Sequence, residues 1–289
     1  MKRVLAVTAQ PIEYNTSSML RILRIVNGLV NNGYYLELLT QYPTKDNKYY
    51  SEDMYIDERV TVCRFGPQKS IIEKIGNADD SSIKNRILTT LRNVYKNIDL
   101  FGSSIELLNC QKELQSMLAN KHYDYLISFS SPITAHIIAN KIYRHFEKIG
   151  AIPFYIQQWG DPLTLDITNT SIIPKFAKRI IEKKIIFYAD KIIYVSPITV
   201  REQQKMFPQA AHRMKFIPPP TKASWFNVSV NTKRKVTFGY YGSYYSIARN
   251  LKPLYESVKN CNDVGMIIVG DSDINLQPVS YTHLTLPTN

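Results

Sequence analysis

The stretch from Val4 to Gly33 decides the fold. Val4-Leu5-Ala6-Val7-Thr8 is a continuous apolar run, Gln10 to Ser18 is a polar loop, and Met19, Leu20, Ile22, Leu23, Val26, Leu29 and Val30 then recur at i, i+3, i+4 spacing with Arg21 and Arg24 elsewhere. The period changes from that of a buried strand to that of an amphipathic helix across one loop. Thr16 and Ser17 are natural N-caps and Gly33 a natural stop. A strand too apolar to be half exposed, feeding a helix, predicts a parallel α/β sheet covered on both faces. In doubly wound sheets ligands bind at the carboxyl edge, where the free N–H groups of a helix N-terminus favour phosphate; ordinary capping without a ligand accounts for the same residues.

The alternation continues outward from this unit. Further strands are expected at Tyr34 to Thr40, Val60 to Phe65, Asp124 to Phe129, Pro153 to Gln157, Lys191 to Val195 and Lys215 to Ile217. Helices are expected at Ser18 to Asn31, as a pair within Ser81 to Asn120, and at Ile133 to Lys148, Pro174 to Ala189 and Ile198 to Met206. Phe216-Ile217-Pro218-Pro219-Pro220 and the polar run to Lys235 form a stiff linker over 218–234. Beyond it, a strand at Val236 to Tyr241, a helix at Ile247 to Asn260 and a strand at Val264 to Val269 make one βαβ unit. That unit has the roughly 30 residues such a motif needs, fewer than an independent domain of at least about 50. The organisation read here is therefore a first domain over 1–217, an incomplete second one over 235–276, and a tail, 277–289, expected to be foreign to the fold.

Lys plus Arg exceed Asp plus Glu by 36 to 24, a formal charge of +12, so an anionic partner is expected. Charge alone leaves phosphate, nucleotide, nucleic acid and acidic lipid open. Cys63, Cys110 and Cys261 are scattered without CxxC spacing, which argues against a disulfide framework or a zinc site and for a reducing cytoplasm. His122, His136, His145, His212 and His283 form no HxxxH pair and are assigned ordinary core or surface roles. No apolar run approaches the ~20 residues of a membrane span, and Met1-Lys2-Arg3 with the run that follows reads as a first strand, not a signal peptide. The segment Ile172 to Tyr188 carries cations on an apolar helical frame. It suits either an anionic bilayer or a core-packed helix with a solvated basic face.

The sharpest chemical signal is Phe238-Gly239-Tyr240-Tyr241-Gly242-Ser243-Tyr244-Tyr245-Ser246-Ile247-Ala248-Arg249-Asn250. A strand ends at glycine, a short loop lets amides approach a ligand, and a guanidinium follows, a combination that suits a diphosphate. A plain βα turn with a surface arginine is the bland reading.

With Asn15 to Arg21, Phe129-Ser130-Ser131-Pro132, Gln157-Gln158-Trp159-Gly160-Asp161-Pro162, Ala189-Asp190-Lys191-Ile192-Ile193-Tyr194-Val195-Ser196, Phe216 to Pro219, Arg249-Asn250 and Ile267-Ile268-Val269-Gly270, the order of segments over residues 1 to 276 resembles a C-terminally truncated family 4-type glycosyltransferase of the GT-B architecture. The resemblance implies an α/β fold: an N-terminal doubly wound parallel sheet domain plus an incomplete second Rossmann-like domain. It implies transfer of a sugar, hexosyl in type, from a nucleotide-sugar donor to a polysaccharide or lipid-linked acceptor in bacterial cell-surface polysaccharide biosynthesis. Gly242, Ser243 and Arg249 would face the donor diphosphate, with Ser17 and Ser18 closing from across the cleft, and Asp161 would contact acceptor or donor sugar as the catalytic-site candidate. No metal and no cofactor beyond the nucleotide-sugar are implied. The implied location is cytoplasmic, peripheral on the inner face of the cytoplasmic membrane.

Three departures accompany the resemblance. Ser243 stands where many relatives carry an arginine, and Ser17 and Ser18 replace paired glycines. The Glu-x7-Glu motif that grips donor sugar and ribose is absent, Glu256 being the only glutamate after Gly242. The chain as written is expected to be inactive, and its natural downstream frame is expected to supply two glutamates eight positions apart. A noncatalytic basic α/β module that binds nucleotides or nucleic acid is the other reading of the same charge and fold.

Overall fold

The computed structural model describes residues 1–68, 105–130, 132–166, 171–220, 236–242, 250–259, 261 and 264–270. The chain divides into two compact units, Met1–Thr221 and Lys222–Asn289. In the first, strands β1 (Arg3–Thr8), β2 (Tyr35–Gln41), β3 (Thr61–Phe65), β4 (Tyr125–Phe129), β5 (Phe154–Trp159), β6 (Lys191–Tyr194) and β7 (Met214–Phe216) form one parallel sheet in the order 3-2-1-4-5-6-7. The order reverses between β1 and β4, which pair in register from Val4–Tyr125 to Thr8–Phe129. That is a topological switch point, where a crevice opens outside the carboxyl ends of the strands.

Helices α1 (Ser17–Asn31), α2 (Gln111–Leu118), α3 (Thr134–Lys148), α4 (Lys175–Ile185) and α5 (Pro197–Met206) accompany this sheet. The sequence of β1 is apolar throughout because both of its faces are covered. Leu5 and Val7 pack with Leu114, Leu118, Ile138 and Phe146, while Val4 and Ala6 pack with Met19, Ile22, Val26 and Leu36. Five side chains of α1 are buried, and each contributes roughly 1.5–3 kcal/mol, far more than differences in helix propensity, so packing sets the helix in place. Thr16 caps it by accepting from the Met19 N–H at 3.2 Å, and Gly33 follows its end at φ +82°.

Strand β5 runs two residues past its expected end because Gln157 is satisfied inside. Its amide donates to the Tyr155 hydroxyl at 3.0 Å and the Ile185 carbonyl at 2.9 Å, and accepts from Trp159 Nε1 at 3.1 Å. Nearby, His136 is fully buried, shares a 2.7 Å hydrogen bond with Ser128 and lies against the Trp159 ring. Burial pushes its pKa down to about 3, so the imidazole is neutral in the fold. The expected helix from Pro174 to Ala189 is α4 followed by a 3-10 turn over Ile186–Tyr188.

The second unit contains β8 (Val236–Tyr241) and β9 (Val264–Val269), parallel and in register, with α6 (Lys252–Lys259) packing Tyr255 and Val258 against Met266. Of the helix expected over Ile247 to Asn260, the described residues show α6 from Lys252, while 247–249 lie outside them. Asn250 Oδ1 accepts from the Lys252 N–H at 2.9 Å, and Pro253 sits in the first turn, where its missing N–H costs nothing. Most of the expected helix pair in 81–120, the run 221–235, Ser131, and the tail 277–289 lie outside the described residues.

Candidate functional site

The switch point gathers three chain segments at the carboxyl edge of the first unit's sheet. After β1, the loop is tied to itself: Gln10 Oε1 accepts from the Ser18 hydroxyl at 3.2 Å, Ser18 and Thr16 hydroxyls lie 3.0 Å apart, and Thr40 Oγ1 donates to the Gln10 carbonyl at 2.7 Å. Ser17, the first residue of α1, is exposed. After β4 and β5, Ser130 closes the strand ends: its N–H donates to the Gln158 carbonyl at 3.0 Å, and its hydroxyl accepts from the Gly160 N–H at 3.1 Å. Asp161 follows directly and is exposed.

Arg21 joins these segments, whereas helical spacing alone puts it only on the polar side of α1. It lies three and four residues after Ser18 and Ser17, on the same face of the helix, and that spacing is the signal the sequence offers. Its Nη2 donates to the Ser130 carbonyl at 3.2 Å and occupies the space beside Gly160, where an added Cβ would lie 2.7 Å from it. Burial pulls its pKa below the ordinary arginine value, while the charge of Asp161 works in the opposite direction. Its Nε is buried with no acceptor among the described residues. One turn on, Arg24 Nη1 donates to the Pro220 carbonyl at 3.2 Å. A half-buried guanidinium near a carboxylate at the carboxyl ends of the strands can hold an anion, or fix the carboxylate against a hydroxyl.

In the second unit the carboxyl ends of β8 and β9 meet at two glycines. Gly242, at φ +138°, donates its N–H to the Val269 carbonyl at 2.8 Å. Gly270, at φ +152°, approaches so closely that a Cβ there would collide with the Gly242 carbonyl. Both positions need glycine, the first for its backbone conformation and the second for clearance as well. Ser243 and Arg249 lie outside the described residues. Of the named candidates, the structure places Ser17, Ser18 and Asp161 at one sheet edge and Gly242 at another. Arg21, Ser130 and Gly270 join the set. Among the described residues no group of three or more His, Cys, Asp or Glu is arranged to hold a metal ion.

No protein-family model matches the chain, and no curated protein does. Solved structures do resemble it. A sucrose-phosphate synthase from Thermosynechococcus elongatus superposes over 94% of this chain with a TM-score of 0.55 at 10% identity. The lipopolysaccharide outer core galactosyltransferase WaaB in its apo form superposes over 94% with a TM-score of 0.52 at 10% identity. The chain spans 63% and 62% of the lengths of those two proteins. The fold is α/β and GT-B-like, with a doubly wound parallel sheet in the first unit.

Proposed function

We propose that the chain forms the acceptor-side domain and part of the donor-side domain of a family 4-type glycosyltransferase. It would move a hexosyl group from a nucleotide-sugar to a polysaccharide or lipid-linked acceptor in bacterial cell-surface polysaccharide synthesis. The observation that carries the reading is Arg21, a half-buried guanidinium bonded to Ser130 at the switch point and close enough to Asp161 to feel its charge. In this reading residues 1–217 hold the acceptor and 235–276 begin the donor site. Asp161 contacts a sugar hydroxyl, and Arg21 is the positioning residue behind it. Gly242, Ser243 and Arg249 receive the diphosphate, with Ser17 and Ser18 offered by the first domain.

The chemistry needs little else from the protein. As the sugar bond breaks, the departing nucleotide gains negative charge, and amides, helix N-termini and a guanidinium fixed beforehand stabilise it without a metal. The chain's place is cytoplasmic and peripheral to the inner face of the membrane, where lipid-linked acceptors reside. Calorimetric titration with UDP, GDP and their hexose conjugates tests this: one nucleotide should bind, and Arg249→Ala should weaken it at least about tenfold, the cost of one charge-assisted contact. Tight binding of single-stranded DNA with none of any nucleotide would instead establish the noncatalytic module.

A further inference from the structure

Helix α4 buries Ile185 and packs Ile181 against the core, yet two of its inward positions are charged and two large apolar side chains face out. It points Lys178, 7% exposed, and Glu182, 0% exposed, into the protein, and leaves Phe176 and Ile180 exposed by 69% and 53%. The orientation is fixed by polar anchors: Glu182 Oε2 accepts from the Thr164 N–H at 2.9 Å, and the Ile185 carbonyl accepts from both Asn140 and Gln157 at 2.9 Å. Phe176 and Ile180 are one turn apart on a single face. Ile172 before the helix and Phe187 after it extend the apolar strip, at 73% and 68% exposure. Lys175, Arg179, Lys183 and Lys184 are exposed around them, and the one acid between residues 172 and 188 is the buried Glu182.

A groove of about 760 Å³ lies beside Ile180 and Phe187, between α4 with its 3-10 turn and the end of α5. Arg179 lies across it, with Nη2 donating to the Met206 carbonyl at 2.7 Å and its guanidinium 5.9 Å from the Phe207 ring centre. Arg213 Nη1 donates to the carbonyls of Phe187 and Ala189 at 2.9 and 2.6 Å. Lys183 and His212 also line the groove, and no Asp or Glu does.

We infer that this face docks on a bilayer of anionic phospholipid, with Phe176, Ile180 and Phe187 entering the acyl boundary and Arg179, Lys183, Lys184 and Arg213 meeting headgroup phosphates. The charge argument favours lipid over a second copy of the chain. A two-fold interface on this face would set like cations against each other, whereas an anionic bilayer supplies hydrocarbon and phosphate at neighbouring depths. Among the described residues no helix is long and apolar enough to cross a membrane, so attachment here is by one face. The inference takes its peripheral location from the reading above and names the surface that makes it.

Co-sedimentation with vesicles of phosphatidylglycerol and phosphatidylcholine, against phosphatidylcholine alone, tests it. The full chain should sediment with the anionic vesicles at least tenfold more strongly, and 0.5 M NaCl should reverse most of this. F176S/I180S/F187S, all at exposed positions, should lose the binding while keeping the parent circular dichroism. Should that variant misfold, Phe176→Trp in the otherwise intact chain replaces it, with an emission blue shift expected on anionic vesicles. Equal sedimentation on both vesicle types, an unshifted emission from the Phe176→Trp variant, or a dimer by light scattering that the triple substitution makes monomeric would overturn the inference. Vesicle binding without nucleotide binding leaves this face standing and removes the transferase reading, and the converse result does the reverse.

Discussion

Two glycines separate what a residue does for the fold from what it does for a site. At Gly270 a methyl group runs into the backbone of Gly242, and neither backbone can give way cheaply. Gly270→Ala should therefore destabilise the second unit by about 1–3 kcal/mol or more, and nucleotide binding should fall with it. At Gly160 the same methyl meets chiefly the far end of Arg21, a flexible side chain. Gly160→Ala should cost about 0.5–1.5 kcal/mol, the hydrogen bond it takes from the guanidinium and the Ser130 carbonyl, less than Gly270→Ala costs. Loss of substrate affinity with a melting curve lowered only slightly is the expected pair of results. A parental affinity in Gly160→Ala would detach Arg21 from the site.

At the scale of elements, two buried carboxylates hold helices and strands together with opposite pH signatures. Burial pushes the Glu182 pKa up, and the hydrogen bond from Thr164 only partly opposes it. Its folded pKa exceeds its unfolded one, so its contribution is full below the ordinary value of 4.5 and is lost as pH rises through the folded value. Glu182→Gln keeps an acceptor for Thr164 and should melt higher than the parent at pH 8, the advantage shrinking toward pH 4. At Glu37 burial also pushes upward, but hydrogen bonds from Lys121 and Tyr123 and the charge of Arg3 outweigh it and hold the carboxyl below its ordinary value. Here the contribution is present above the ordinary value and lost as pH falls through the folded one. Glu37→Gln should cost about 1.5–3 kcal/mol at pH 7 in thermal unfolding and less as the pH drops below 4. These carboxylates also mark where the sequence stops being legible. Apolar runs locate the inner strands of the first unit to within a residue or two because both faces of the sheet are covered there. The facing of α4 is only partly legible, since its inward positions carry Lys178 and Glu182 beside Ile181 and Ile185, and the reach of Arg21 to Ser130 depends on a contact 109 residues away in the chain. Helical spacing gives the face of a side chain and not what it meets.

Over the whole molecule, the excess of cations, +12 in all, fits two ligands that differ in how many charges they engage. A nucleoside diphosphate held at the strand ends by one or two guanidinium groups engages few, and screening of so few contacts weakens binding only modestly. A nucleic acid laid across several basic residues releases a counterion at each phosphate it meets, so its affinity falls steeply and linearly on logarithmic axes with salt. The chain that binds a nucleotide at its strand ends should lose less than about tenfold in affinity between 50 and 200 mM salt, whereas six or more phosphate contacts would cost about a thousandfold. The face proposed to meet the membrane should behave differently again, because its apolar residues keep part of their hold when charges are screened. Salt series on the same preparation with UDP and with anionic vesicles should therefore give a shallow and an intermediate response respectively, and single-stranded DNA should show no tight binding at any salt. A steep response to UDP would mean that its phosphates are held by the diffuse surface charge and not by the site proposed around Gly242.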